Sequence, residues 1–258
     1  MITRAIWKGI ICIQDLKIPV NLFNAVREKR IAFNLLHAPD GTRLRQQMVC
    51  SHDDQPVPRE HQIKGYQFSR GRYVIVTDKM LRQVEPKTSR EIEVREFVPS
   101  DELDPRFYKH HFYLKPAASR TAYNSLFTAL LETASVGISH WAMRRRTFVG
   151  ALRAGRGGLE LSTLKSADEV YGTDELWFRQ VAVTEKELRI GAELIENLAA
   201  PFHPEHFRNE YRARLWEMIK RKAAGEKIKV VPFPPKEPTR EDELVRVLEE
   251  SIKRVRAS

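Results

Sequence analysis

At 258 residues, with 42% apolar side chains, the chain is long enough for one large core or a core plus a small appendage. Its 44 Lys and Arg against 34 Asp and Glu leave a charge of +10, which marks a polyanion as partner, with a merely basic folded domain as the bland alternative. No apolar run approaches the roughly 20 residues that cross a bilayer, and Cys12 and Cys50, far apart and without a secretory leader, predict no disulfide scaffold and a reducing cytoplasmic setting.

In chain order, residues 5–13, 18–25 and 31–38 are rich in β-branched and aromatic side chains and predict strands. Pro39-Asp40-Gly41 is a turn signal, Pro presetting φ and Gly supplying a positive one. Residues 63–68 and 73–77 form a second predicted hairpin, with Arg70 and Arg72 at its tip. Residues 91–98 alternate charged and apolar, predicting an exposed or edge strand.

Helical spacing appears over 117–134, where Tyr123, Leu126, Phe127, Leu130 and Leu131 share a stripe. Strand patterns return at 136–143, 147–152 and 159–164, so that helix is inserted between strands. Thr184 and Glu187 have capping-box spacing, opening a helix through Leu188, Gly191, Ile195 and Leu198 that Pro201 closes. Residues 204–222 predict another amphipathic helix bearing Phe207, Tyr211, Leu215, Trp216 and Ile219. The prolines of 229–238 read as a stiff linker, after which Thr239 caps a last helix with Leu244, Leu248, Ile252 and Val255 on one side. No internal repeat is evident. The expected organisation is a core and bridge over 1–182, a helical arm over 183–228, a linker over 229–238 and a terminal helix over 239–258.

Charge is unevenly spread. Residues 233–258 hold six basic and six acidic side chains, so the excess lies earlier. Arg144, Arg145, Arg146, Arg153, Arg156 and Lys165 face Glu160 alone within 136–165, and Lys64, Arg70, Arg72, Lys79 and Arg82 face Asp78 alone within 64–82. Arginine's fork matches phosphate oxygens and stays charged, so phosphate contact is the functional reading and a solvated basic turn the bland one. Lys64, Arg70, Arg72, Arg82, Arg144, Arg145, Arg146, Arg153 and Arg156 are therefore the candidate phosphate contacts.

Catalytic signals are weak. Gly155-Arg156-Gly157-Gly158 lacks the Lys-Ser/Thr of a phosphate loop and reads as a turn. His37, Cys50, His52 and His61 fall in one region, but Cys50-Ser51-His52 is too closely spaced for a tetrahedral zinc pair, so no metal is expected. His203-Pro204-Glu205-His206 departs from the metalloprotease pattern and reads as a helix start. No catalytic residue and no cofactor are expected. A lyase using a Lys amine at abasic sites is the rival reading, and a sequence-specific regulator a third.

Arg4-Ala-Ile-Trp-Lys-Gly9, Ile18-Pro-Val20, Lys64-Gly-Tyr66, Gly71-Arg-Tyr-Val74 and Thr77-Asp78 resemble the N-terminal half of prokaryotic Ku proteins. Phe97-Val98, Asp104-Pro105, Tyr113-Leu114, Gly157-Gly158-Leu159, Ala167-Asp168-Glu169, Glu185-Lys-Glu-Leu188 and Leu244 to Ser251 continue the likeness in order, almost end to end. The resemblance implies an α+β fold: a β-barrel core with projecting strands forming half of a ring, an inserted helix and a C-terminal helical arm. It also implies a non-catalytic homodimer, nucleoid-associated in the cytoplasm, that threads onto double-stranded DNA ends in nonhomologous end joining. The terminal helix, through Leu244, Leu248 and Ile252, would recruit the multidomain bacterial DNA ligase, LigD. Two departures stand out: Cys50-Ser51-His52-Asp53 replaces the paired cysteines of some relatives, and the long Lys-rich tail of some members is missing.

Overall fold

In a computed structural model, residues 4–86, 89–118, 120–172, 182–225 and 244–257 are described, within two compact units, Met1–Gly172 and Thr173–Ser258. The first unit contains β1 (Trp7–Ile13), β2 (Leu16–Asn24), β3 (Lys64–Ser69), β4 (Arg72–Val76), α1 (Asp78–Val84), β5 (Glu91–Pro99) and β6 (Tyr108–Pro116). It continues through α2 (Arg120–Glu132), β7 (Ser135–Met143), β8 (Arg146–Gly155) and β9 (Gly158–Leu164). Seven strands close into a barrel in the order β1-β2-β6-β9-β8-β7-β5, with β3 and β4 forming a separate ribbon. Pairing is antiparallel except where β5 closes on β1, Ile11 opposite Ile92.

Alternation builds the barrel's interior, because every second side chain of a strand points inward. Ile11, Ile18, Leu22, Ile92, Leu152, Leu159 and Leu161 are fully buried, each contributing on the order of 1.5–3 kcal/mol of apolar transfer. Trp141 fills the centre, edge-on to Trp7 and Phe112 and tilted against Phe148. Helix α2 buries Tyr123, Leu126 and Leu130 against this core, as its stripe predicts, although Leu131 remains exposed. Its Tyr123 hydroxyl donates to Leu114 O and accepts from Leu159 N, both at 2.7 Å. One side chain thereby ties the helix to β6 and β9.

Two expectations are corrected, and two elements are new. Residues 31–38 form no strand; only Leu36 bridges to Arg43, and the chain instead makes two turns of like hydrogen bonding. In one, His37 N donates to Thr42 O and Gly41 N to His37 O; in the other, Cys50 N donates to Gln55 O and Asp54 N to Cys50 O. This is a local repeat that the sequence pattern hid. Strand β5 is no edge, being paired on both sides, because its alternation faces a closed barrel whose exterior is wet. Strand β6 and helix α1 went unpredicted: β6 buries only Phe112 and Leu114 among polar neighbours, and α1 is a short helix capped by Thr77 with no buried residue.

The second unit contains α3 (Glu185–Leu198), α4 (Glu210–Ala223) and α5 (Leu244–Ala257). The predicted capping box is present, Thr184 Oγ1 accepting from Glu187 N while Thr184 N donates to the Glu187 carboxylate at 2.7 Å. Helix α5 packs on α3, with Ile190 and Ile252 buried. The expected linker, 229–238, lies outside the described residues.

Candidate nucleic-acid interface

Topology decides which basic residues share a neighbourhood. At one barrel end β2 finishes, β6 begins, β7 finishes and β8 begins, as the pairs Asn24 with Phe112 and Met143 with Arg146 require. The insertion holding the ribbon and α1 leaves and re-enters the barrel at this same end, after Asn24 and before Glu91. Here, too, lies the β7–β8 turn with Arg144, Arg145 and Arg146. Arg145 reaches Glu85, just past α1, at 3.4 Å.

Arg153 and Arg156 belong elsewhere. Strand β8 runs ten residues, about 30 Å at the usual rise, and Arg156 occupies its far turn. Arg153 is held by Glu160 across β9 through bonds of 2.8 and 3.0 Å. Lys64 pairs with Asp78 at 2.9 Å, holding that carboxyl below its usual range. By contrast, Arg70, Arg72, Arg82, Arg144, Arg146 and Arg156 form no salt bridge with any described residue, and Arg72 lies over the Phe68 ring at 4.9 Å.

The turn itself is strained. Arg144 and Arg145 adopt φ of 51° and 63°, the left-handed region that two-residue hairpins fill with Asn-Gly. For other side chains that region costs about 1–2 kcal/mol per residue. These two residues form the tip of the turn between the paired Met143 and Arg146.

The same region exposes apolar surface. Every residue of β3 is exposed, and Tyr66, Phe68, Tyr73, Val74 and Ile75 of the ribbon lie open to solvent. In the second unit, Leu188, Ile195, Leu198, Phe207, Tyr211 and Trp216 are exposed, so the stripes predicted on α3 and α4 lie largely open, with Leu215 and Ile219 half-buried. Of the expected ligase contacts, Ile252 is buried, and the side chains of Leu244 and Leu248 lie outside the described residues.

Among the described residues no group of three or more His, Cys, Asp or Glu side chains could hold a metal ion, and no helix is long and apolar enough to cross a membrane. The His37 ring is instead bonded to Asp40 at 2.9 Å.

These features define a small-barrel protein that carries unpaired arginines on projecting hairpins. A model of the Ku70/Ku80 beta-barrel domain matches residues 13–190. The chain is 43% identical over 250 residues to "Non-homologous end joining protein Ku 2" of Geotalea uraniireducens, covering 97% of this chain and 98% of that one. It is 37% identical over 235 residues to the Ku protein of Anaeromyxobacter sp., covering 90% and 79%, and 36% identical over 230 residues to that of Archaeoglobus fulgidus, covering 88% and 91%. The chain belongs to the Ku family.

Proposed function

We propose that this protein binds double-stranded DNA ends in nonhomologous end joining as a non-catalytic homodimeric ring, and that it recruits a DNA ligase. The observation that carries this reading is the pairing, at one barrel end, of arginines without acidic partners and a ribbon without a buried residue. A lone chain gains nothing from either, whereas a second copy covers the apolar surface and a phosphate backbone occupies the cations. Arg70, Arg72, Arg82, Arg144, Arg145, Arg146 and Arg156 are assigned to phosphate contact. Lys64, Arg145 and Arg153 must exchange Asp78, Glu85 and Glu160 for phosphate to take part. Backbone contact without base reading suits a protein that must accept any break.

The test compares one duplex sequence in linear and covalently closed circular form, together with unrelated linear duplexes. Linear DNA of every sequence is bound, and the closed circle fails to compete. Equal competition by the circle rejects threading, and preference for one sequence rejects the reading altogether.

Ligase recruitment is assigned to Leu244, Leu248 and Ile252. Since Ile252 is buried and α5 packs on α3, a ligase must either displace that contact or use the remainder of the helix. Removing residues 239–258 leaves end binding intact and abolishes ligase stimulation; stimulation at the full-length level refutes the assignment.

A further inference from the structure

The barrel end that carries the strained arginines also holds a cavity of about 300 Å³, lined by Glu28, Lys109, His110, His111, Met143 and Arg144 among others. Three local features converge on it. The first is a bulge in β6: its register against β9 passes from Tyr108 opposite Leu164 to His111 opposite Ser162, so β6 advances one residue more than its partner. Bulges re-aim side chains. The His110 N–H, taken out of the ladder, donates to the buried Thr163 Oγ1 at 3.0 Å.

Second, the His111 ring is fixed from two sides. Its Nδ1 shares a 2.9 Å hydrogen bond with the buried Ser162 hydroxyl, and it stacks on Tyr108 at an interplanar angle of 24°. That leaves Nε2 as its free nitrogen. Third, Arg144 reaches the cavity from the left-handed turn, at φ 51°.

The cavity's charge is lopsided. Its one lining carboxylate, Glu28, is paired with Arg30 at 2.8 Å. Lys109 has only a loose 3.4 Å contact with Glu169, while Arg144, His110 and His111 have no salt bridge among the described residues. Imidazole and guanidinium donors converging on a small concave space suit a compact oxyanion.

We propose that this cavity binds a phosphate group through Arg144, Lys109, His110 and His111. For a nucleic-acid source the proposal rests on the end-binding reading, where the group is a phosphate of the DNA strand; free phosphate is the other source.

The experiment uses the full chain. Arg144→Ala combined with Lys109→Ala lowers affinity for a 5′-phosphorylated linear duplex about tenfold, as expected for a lost charge-assisted contact. Glu28→Gln raises that affinity, because it removes the only lining carboxylate. Inorganic phosphate shifts the His110 and His111 ring proton resonances in the wild type and leaves them still in the double variant. Loss confined to the phosphorylated duplex assigns the site to the terminal phosphate; equal loss on a 5′-hydroxyl duplex assigns it to the strand's diesters. Ring shifts with unchanged duplex binding assign it to free phosphate. A double variant with wild-type thermal midpoint and wild-type affinity for both duplexes, with no ring shift in the wild type, overturns the proposal. If the wild type binds neither duplex, the end-binding reading falls, and the inorganic phosphate titration alone decides the cavity.

Discussion

Arg144 and Arg145 are positions where local stability and the proposed binding pull apart. Asn-Gly fits their positive φ without strain, so Arg144→Asn with Arg145→Gly removes about 1–2 kcal/mol of backbone strain per residue. The exposed Arg145–Glu85 contact that is lost offsets little of this. The double variant is expected to melt higher and to bind linear duplex more weakly; a higher melting temperature with full binding separates the turn from the interface. Elsewhere single atoms act through packing. Tyr123→Phe leaves Leu114 O and Leu159 N without their common partner, and urea unfolding should register a loss of about 2–3 kcal/mol. At Gly150 an added Cβ would stand 2.8 Å from Ser139 Oγ and 3.0 Å from Leu161 Cδ1. Ala there overpacks the barrel, costing about 1–3 kcal/mol.

At the scale of elements, α3 offers a pH test. The Thr184 side chain and backbone hydrogen-bond the Glu187 carboxylate and hold its pKa below the ordinary value. A depressed carboxylate stabilises the fold above its ordinary pKa, and that contribution is lost as pH falls through the lowered value. Protection factors of the α3 amides, which divide out the pH dependence of intrinsic exchange, should therefore fall on acidification past the ordinary glutamate pKa of about 4.3, and Glu187→Gln should flatten that dependence. Thr184→Ala should raise exchange in the first turn about fivefold at neutral pH. This helix was legible because its cap and its stripe lie in consecutive residues. Strands β7, β8 and β9 were legible for the same reason. Strand β6 was not, since Tyr108, Lys109, His110 and His111 place polar groups across a bulge whose partner, Thr163, is remote in sequence. Barrel closure likewise hid the status of β5: alternation shows that one face is wet but cannot reveal neighbours on both edges. The basic residues were visible one by one, yet only the course of β8 separates Arg144 from Arg156.

At the scale of the whole molecule, the proposed ring turns on how many chains contact one duplex, and salt dependence can answer it. Each phosphate neutralised releases condensed counterions, so the logarithm of affinity falls with the logarithm of salt by about 0.9 per contact. Arg70 and Arg72 lie at the tip of a ribbon that buries nothing, and among the described residues removing both forfeits only the contact of Arg72 with the Phe68 ring, so Arg70→Ala with Arg72→Ala should leave the barrel's unfolding unchanged. In a symmetric dimer each substitution is made twice, and the slope should shrink by roughly 3 to 4. One chain on the duplex would lose half as much, roughly 2. Sedimentation of the free protein supplies the independent count: with Leu188, Ile195, Tyr211 and Trp216 exposed in a single chain, Trp216→Asp should drive a wild-type dimer toward monomer. A slope change of the smaller size in a protein that sediments as a dimer would mean that only one of the two ribbons touches DNA, and the ring would have to be redrawn with the second ribbon turned outward.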